Sequence, residues 1–322
     1  MSISRATPVL ALVATCCIAA PAAAYELPSV NLGLTTFIDG APPAGAGWYV
    51  SEFLQYYTAD KLRDSKGERV ALPKQDIEVT SLVSQAIWMS SDKLLGANYG
   101  VTVLLPAVLQ AKTDDGLNNA ALGEGQSGIG DLIVGPFLQW GPYMGANGPT
   151  YAHRFEFDVS LPTGEYDNRN GINPGSNHWT INPYWSGTYW LTPKWTVSTR
   201  LWYLWSGTNT DPNPGAFAAQ GIATANDMRP GQAFHMNFAT EYAVTPQLRL
   251  GINGYWLKQT TESEVNGHSL SGSKEQVFGI GPGVLYSFSQ QDHVFFNAYT
   301  ESHVRNRPEG ERYVLRYVHN FK

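Results

Sequence analysis

Apolar and polar side chains alternate along most of this chain after residue 45. In the stretch 194–206, for example, Trp195 and Val197 lie at every second position, with Thr196 and Arg200 among the polar residues between them. A period of two is the spacing of side chains on one face of a β-strand. The pattern therefore predicts a chain built from strands.

Twelve such segments can be delimited. They cover 46–58, 76–90, 96–110, 127–140, 151–162, 178–191, 194–206, 231–244, 247–258, 273–288, 292–302 and 311–321. Short connections at 91–95, 192–193, 245–246 and 289–291, together with the turn-rich stretch 141–150, take turns with long polar ones at 59–75, 111–126, 163–177, 207–230, 259–272 and 303–310. Short turns at one end and long loops at the other are typical of outer-membrane barrels. The sequence predicts an all-β fold, a transmembrane antiparallel β-barrel of about 12 strands spanning residues 46–322.

A soluble β-sandwich also alternates, but its apolar face points inward. Large aromatic residues here concentrate near the segment ends, where a membrane barrel places its interfacial girdles. These residues are Tyr151, Trp190, Trp195, Trp205, Tyr242, Trp256 and Phe321. The segments are also long for sandwich strands. Both features favour the membrane barrel.

The first 24 residues have the pattern of a cleaved signal peptide. Arg5 provides a positive charge, residues 9–20 are apolar, and residues 22–24 offer small side chains for cleavage before Tyr25. Residues 25–45 are then expected to be a periplasmic lead or a short N-terminal element. A lipid-modified N-terminus at Cys16 is the alternative to this cleavage.

Both cysteines, Cys16 and Cys17, fall within the predicted signal, so the mature chain has no thiol or disulfide. The formal net charge is −6, and removal of the signal with Arg5 makes it one unit more negative. Nucleic acid is therefore not expected as a partner, because phosphate neutralisation needs clustered Lys and Arg.

The sequence motifs do not indicate catalysis. Gly123-x-Gly125-x-x-Gly128 matches the dinucleotide pattern formally, but it follows a loop and precedes a strand, whereas the motif needs a strand before it and a helix after it. There is no Gly-x-Ser-x-Gly, P-loop or His-Glu-x-x-His motif, and the histidines are scattered singly. We expect no catalytic residues, no cofactor and no metal site.

Charged residues on the polar faces of the segments are the candidate functional residues. A charge facing hydrocarbon near the midplane would cost ~2–4 kcal/mol, so these side chains should point into the lumen. They could line a solute path, or they could pair with one another and fill a narrow interior. Both interpretations stay open. The candidates are Asp131, Arg154, Glu156, Asp158, Arg200, Glu241, Arg249, Glu301, Arg312 and Arg316.

Two blocks resemble a known family. Gly128-Ile-Gly130-Asp131 is similar to its Gly-x-Gly-Asp strand, and the run from Leu161 to Asp167 is similar to its Leu-Pro-Thr-Gly-x-Tyr-Asp block. With Gly279-Ile-Gly281-Pro-Gly-Val and a turn of sequence Arg-Pro-Glu-Gly before the last segment, these resemble the Putative MetA-pathway of phenol degradation family, also described as SphA-like transporters. The resemblance spans about 46–321. It implies a Gram-negative outer-membrane barrel associated with aromatic or lipid-like compounds, and no catalytic residues.

The sequence thus predicts an outer-membrane channel for passive passage of small, aromatic or lipid-like solutes. Its expected partners are outer-membrane lipids, the solute and the barrel-assembly machinery. Two alternatives remain: an outer-membrane lipid hydrolase, which would need a Ser–His–acid arrangement on the outer surface, and a plugged structural or adhesive barrel without transport.

Overall fold

The computed structural model describes residues 30–41, 45–214, 216–217 and 220–321. In this part of the chain, twelve long strands form one antiparallel sheet. They are β1 (Gly47–Arg63), β2 (Asp76–Leu94), β3 (Ala97–Asp114), β4 (Leu132–Gly145), β5 (Gly148–Leu161), β6 (Thr180–Trp190), β7 (Trp195–Ser206), β8 (Ala233–Ala243), β9 (Leu248–Gln259), β10 (Gln276–Ser287), β11 (Asp292–Arg305) and β12 (Arg307–Phe321). The predicted signal peptide lies outside the described residues.

The sheet closes on itself. Strand β12 pairs with β1 from Trp48↔Phe321 to Arg63↔Arg307, and each other strand pairs with its neighbours in the chain. Closure removes the free edges that an open sheet would leave unpaired. The predicted 12-stranded antiparallel barrel is confirmed, and this is the fold of outer-membrane barrels.

The prediction of a long connection at 303–310 is wrong. Strand β11 runs to Arg305 and β12 begins at Arg307, so only Asn306 separates them, with a φ of 52°. The β11–β12 ladder stops at Thr300↔Glu311. Pro308 therefore has only β1 as a paired neighbour. Because no strand pairs with its other side, the N–H that proline lacks is not missed by a second ladder.

The connections divide between two ends of the barrel. One end, the turn end, carries the short connections 95–96, 146–147, 191–194, 244–247 and 288–291. The other, the loop end, carries 64–75, 115–131, 162–179, 207–232, 260–275 and Asn306. The long loops interlock: Glu124–Gly125 pairs with Asn170–Ile172, and Met228–Arg229 pairs with Glu264–Val265. The loop end is thus partly covered by its own connections.

The alternation has the predicted sense, with apolar side chains outward. On β7, Trp195 and Val197 are exposed, whereas Thr196 and Arg200 are buried in the interior. One girdle assignment is wrong. Trp190 lies on the same face of β6 as the buried Thr188, so it points inward, and Tyr189 is the exposed aromatic residue there.

Candidate functional site

Residues 30–41, which we call the N-terminal segment, lie inside the barrel. Asp39 contacts β7, Gly40 contacts β4 and β6, and Gly33 contacts β8 and β11. Contacts with strands on opposite parts of the wall place this segment across the lumen. The sequence expectation for 25–45, a lead or short element, did not anticipate this position.

An ion pair anchors the N-terminal segment to strand β7 of the barrel wall. The guanidinium of Arg200 donates two hydrogen bonds to the Asp39 carboxylate, at 2.8 and 2.5 Å. Their side chains are only 10% and 4% exposed. The Arg200 guanidinium also lies 4.2 Å from the centre of the Tyr184 ring, a cation–π contact. A paired, hydrogen-bonded geometry of this kind is what makes buried charge tolerable.

A second anchor is the amide of Asn237 on β8. Its nitrogen donates to the Asn31 side chain at 2.9 Å and to the backbone carbonyl of Thr35 at 3.0 Å. Its oxygen accepts from the N–H of Gly33 at 3.1 Å. One wall residue therefore satisfies three groups of a segment that has no strand partner, which matters because unpaired buried backbone groups are costly.

Two glycines allow the segment to approach the wall closely. Gly33 has a φ of 78°, and a Cβ there would come 2.7 Å from the Tyr299 ring, whose hydroxyl donates to the Gly33 carbonyl. A Cβ on Gly40 would come 2.5 Å from the carbonyl carbon of Gly187. With glycine at this position, the Gly40 carbonyl accepts a hydrogen bond from Gln139 Nε2 at 2.9 Å. Larger residues at either position would not fit this seat.

Two cavities lie between the N-terminal segment and the wall. The large cavity, about 320 Å³, lies toward the turn end and reaches Trp190 and His293. The small cavity, about 80 Å³, lies toward the loop end and reaches Ile133 and Ser160. Both are lined by the same four residues, Thr35, Gln85, Tyr184 and Arg200. These four residues lie where the two cavities adjoin, and we refer to them as the constriction.

Three of the candidate charges form a cluster beside this constriction. Glu156 accepts from the Tyr184 hydroxyl at 2.6 Å and from Arg154 at 3.3 Å. Arg154 also packs 4.0 Å from the centre of the Phe137 ring. Asp158 lines the small cavity, and its Oδ1 has no hydrogen-bond partner among the described residues. Both sequence interpretations apply to this cluster, because Arg154 and Glu156 pair with each other and Asp158 lines the small cavity.

Glu301 and Arg312 form a separate cluster against β1 and β9. The Glu301 carboxylate accepts from the hydroxyls of Tyr57 and Tyr255 at 2.9 and 2.8 Å. Arg312 lies 3.7 Å from Glu301 and donates to Gln55 at 2.8 Å. Neither charge lines either of the two cavities, so their arrangement is that of structural filling.

Asp131 lies at the loop end, just before β4. It accepts hydrogen bonds from the backbone N–H of Gly164 at 2.9 Å and of Ser176 at 2.8 Å, and also from the Ser176 hydroxyl at 2.5 Å. It therefore ties two loops together. Although His178 is nearby, the Ser176 hydroxyl meets a carboxylate and the His178 carbonyl rather than an imidazole nitrogen. This is not the nucleophile–base geometry of a hydrolase.

The remaining three candidates lie toward the turn end. Glu241 on β8 is buried and hydrogen-bonded to the Thr196 hydroxyl. Arg249 and Arg316 both line the large cavity. Arg316 lies between two rings, 5.0 Å from Phe53 and 4.9 Å from Phe295, measured from guanidinium carbon to ring centre.

Sequence reasoning missed Asp39 and the side chains that hold the N-terminal segment. A signal was available: Asp39 is the only charged residue between Glu26 and Glu52. This signal does not identify which arginine pairs with the aspartate.

In the described ranges, no group of three or more potential metal-ligating side chains occurs. No helix in the part of the chain that the structure describes is long and apolar enough to cross a membrane.

Comparisons with known proteins agree with this architecture. The family model described as Putative MetA-pathway of phenol degradation matches residues 59–317. An outer-membrane channel from Pseudomonas putida F1 is similar in structure, with a TM-score of 0.75 and 19% identity, over 91% of this chain and 100% of that chain. The Ralstonia pickettii toluene transporter TbuX is more distant, with a TM-score of 0.42 and 12% identity, covering 90% of this chain and 96% of that one. No curated protein sequence matches the chain.

Proposed function

This chain belongs to the Putative MetA-pathway of phenol degradation family, and we propose that it is a bacterial outer-membrane channel for passive passage of small solutes. The short turns then face the periplasm and the long loops face the exterior. The Pseudomonas putida protein that shares the fold is itself described as an outer-membrane channel, which supports this proposal.

The observation that carries the proposal is the pair of cavities that meet at a constriction. Thr35 of the N-terminal segment faces Gln85 and Tyr184 of the wall there. A solute that moves between the two cavities must pass this point. Since the constriction is formed on one side by a segment outside the sheet, a local shift of that segment would widen it without breaking any strand pairing.

The path is narrow and mixed in character. The small cavity combines the apolar side chains of Val83 and Leu104 with the carboxylate of Asp158. The large cavity has aromatic and basic walls. Such a lining suits small solutes that carry an apolar or aromatic body, and it does not suit large hydrophilic ones.

Liposome swelling with a blocked variant tests the proposal. Gln85→Trp should fill the constriction and reduce the swelling rate for small aromatic solutes at least tenfold, an order-of-magnitude expectation for steric closure of a pore. Val103→Trp is the matched control, because Val103 is exposed on the outer face of β3. Equal swelling rates for both variants would contradict the proposed path.

A plugged structural or adhesive barrel is the second candidate, because the N-terminal segment and the interlocked loops occupy the interior and the loop end. This candidate predicts that neither the parent protein nor a variant with a released segment conducts ions. Conductance in planar bilayers separates the two functions.

A further inference from the structure

The side chains that line the large cavity carry more positive than negative charge. Four arginines line it, Arg154, Arg200, Arg249 and Arg316, against one carboxylate, that of Asp39. Both Asp39 oxygens accept from Arg200, and Arg154 is paired with Glu156. Arg249 and Arg316 are therefore the two lining arginines that form no direct ion pair with a carboxylate of the described residues.

Neither Arg249 nor Arg316 has a carboxylate within 4.0 Å among the residues that the structure describes. Arg249 Nη1 and Arg316 Nε are buried without a hydrogen-bond partner in the same ranges, and so is Nε2 of His293, which also lines the cavity. Glu241 interacts electrostatically with Arg249 but does not line the cavity, and Asp39 interacts electrostatically with Arg316 while both of its oxygens accept from Arg200. Buried charged donors without partners are costly, so a ligand that accepts their hydrogen bonds would be stabilised here.

The two arginines belong to one row around the wall. Arg249 is in register with Leu285, Leu285 with Phe295, and Phe295 with Arg316. Three strand spacings separate the two arginine backbones, which is roughly 14 Å along the wall. Two extended arginine side chains can span most of that distance from opposite sides. An apolar surface, Leu285 and Phe295, lies between them.

The orientation of Arg316 leaves its donors available. Its guanidinium faces the Phe53 and Phe295 rings, at 5.0 and 4.9 Å. Stacking engages the flat faces of a guanidinium, so the N–H groups in its plane remain free for a bidentate acceptor. Phe37 and Trp190 add further ring surface to the same cavity.

We propose that the large cavity is a binding site for a small carboxylate that bears an aromatic or apolar body. The carboxylate meets Arg316 and Arg249, and the body packs against Phe295, Phe37 and Trp190. The volume of about 320 Å³ suits a ligand of one ring. This inference names a solute class for the proposed channel, and the role of the bound carboxylate as a solute rests on that proposed function. Binding itself can be measured without any flux through the barrel.

Tryptophan fluorescence titration of the detergent-purified full chain tests the site, with benzoate as the probe. Benzamide has the same shape without charge, acetate has the charge without the ring, and inorganic phosphate is an anion of another geometry. We expect saturable benzoate binding that is at least about tenfold tighter than for the other three, since a charge-assisted bidentate contact is worth a factor of this order.

Arg316→Gln should weaken benzoate binding by about tenfold or more. Arg229→Gln is the matched control, because Arg229 is a half-exposed loop residue paired with Glu264. If Arg316→Gln loses the heat-modifiable migration of a folded barrel, Arg249→Gln provides the second variant with the same expectation. Unchanged benzoate affinity in a folded variant would overturn the site.

The ligand panel also has outcomes that contradict the proposal. Benzamide binding as tight as benzoate would remove the role of the arginines, and phosphate binding as tight as benzoate would replace the carboxylate class with a general anion site. Benzoate binding in a protein that shows no swelling would leave this inference standing and refute the channel. Swelling without benzoate binding would do the reverse.

Discussion

Replacement of Asp39 by alanine should release the N-terminal segment from the lumen. The substitution removes both hydrogen bonds to Arg200, at 2.8 and 2.5 Å, and leaves a guanidinium that is only 10% exposed without its carboxylate. Removing one partner of a buried ion pair costs ~3–5 kcal/mol. Because the barrel wall is unchanged, most of this cost falls on the seated position of the segment.

The effect on opening follows from that magnitude. At about 1.4 kcal/mol per tenfold, a cost of ~3–5 kcal/mol shifts the ratio of displaced to seated segment by about two to four powers of ten. The anchors at Asn237 and Gly40 remain in the variant, so the segment still prefers its seat. The variant should therefore open often and briefly.

Single-channel recording in planar bilayers measures this change. Asp39→Ala should raise the open probability about 100-fold or more over the parent. Asp167→Ala is the control, since it breaks an exposed loop pair with Arg169, whose side chain is 84% exposed. A double variant, Asp39→Ala with Arg200→Met, should close again in part, because no buried charge is left unpaired. An unchanged open probability in a folded Asp39→Ala barrel would refute the reasoning.

Other outcomes can be measured independently. Gly40→Val should also raise conductance, because a side chain there collides with the backbone of β6 and β5; conductance equal to the parent would mean that the segment sits elsewhere. Single cysteines in three loops should all react with an impermeant maleimide on intact cells, and labelling only after the outer membrane is disrupted would invert the orientation; the positions are Asn118, Asn170 and Asn213. Burial by itself would raise the pKa of Asp115, but hydrogen bonds from four backbone N–H groups outweigh burial and lower that pKa below its usual range. The stability that the Asp115 carboxylate gives to its loop is therefore present above about pH 4 and is lost as the pH falls further. Limited proteolysis of residues 115–131 should then increase in the parent only below that pH and in Asp115→Ala already at pH 7; equal cleavage of both proteins at pH 7 would exclude this role. Glu301→Gln should lower the free energy of unfolding in lipid vesicles by ~3–5 kcal/mol with ion selectivity unchanged, whereas a selectivity change at full stability would place Glu301 on the solute path.

The local pattern was sufficient to predict the barrel wall. Alternation at period two depends only on neighbouring residues, so the twelve strands and the inward direction of Arg154 and Arg200 follow from the sequence. Prediction failed at 303–310, where Pro308 and nearby turn formers indicated a loop. Whether a proline interrupts a strand depends on which neighbouring strand needs its N–H, and that is a property of the sheet rather than of the segment.

The interior could not be predicted in the same way. Asp39 and Arg200 are 161 residues apart in sequence, and no periodicity relates them. The N-terminal segment is not alternating, because its residues contact several different strands of the wall instead of pairing along one. Its seat depends on single contacts, such as that of Gly40 with Thr188, which only the closed barrel creates.

The N-terminal segment is joined to β1 by only five residues, 42–46, so it acts as a ligand that the barrel always carries. A linker of this length reaches no more than about 17 Å, and short tethers of this kind hold their ligand at millimolar effective concentration. A displaced segment is therefore recaptured quickly, and the same sequence added as a free peptide would have to reach millimolar concentration to compete. Lasting opening would require another molecule at the turn end that captures the segment before it returns.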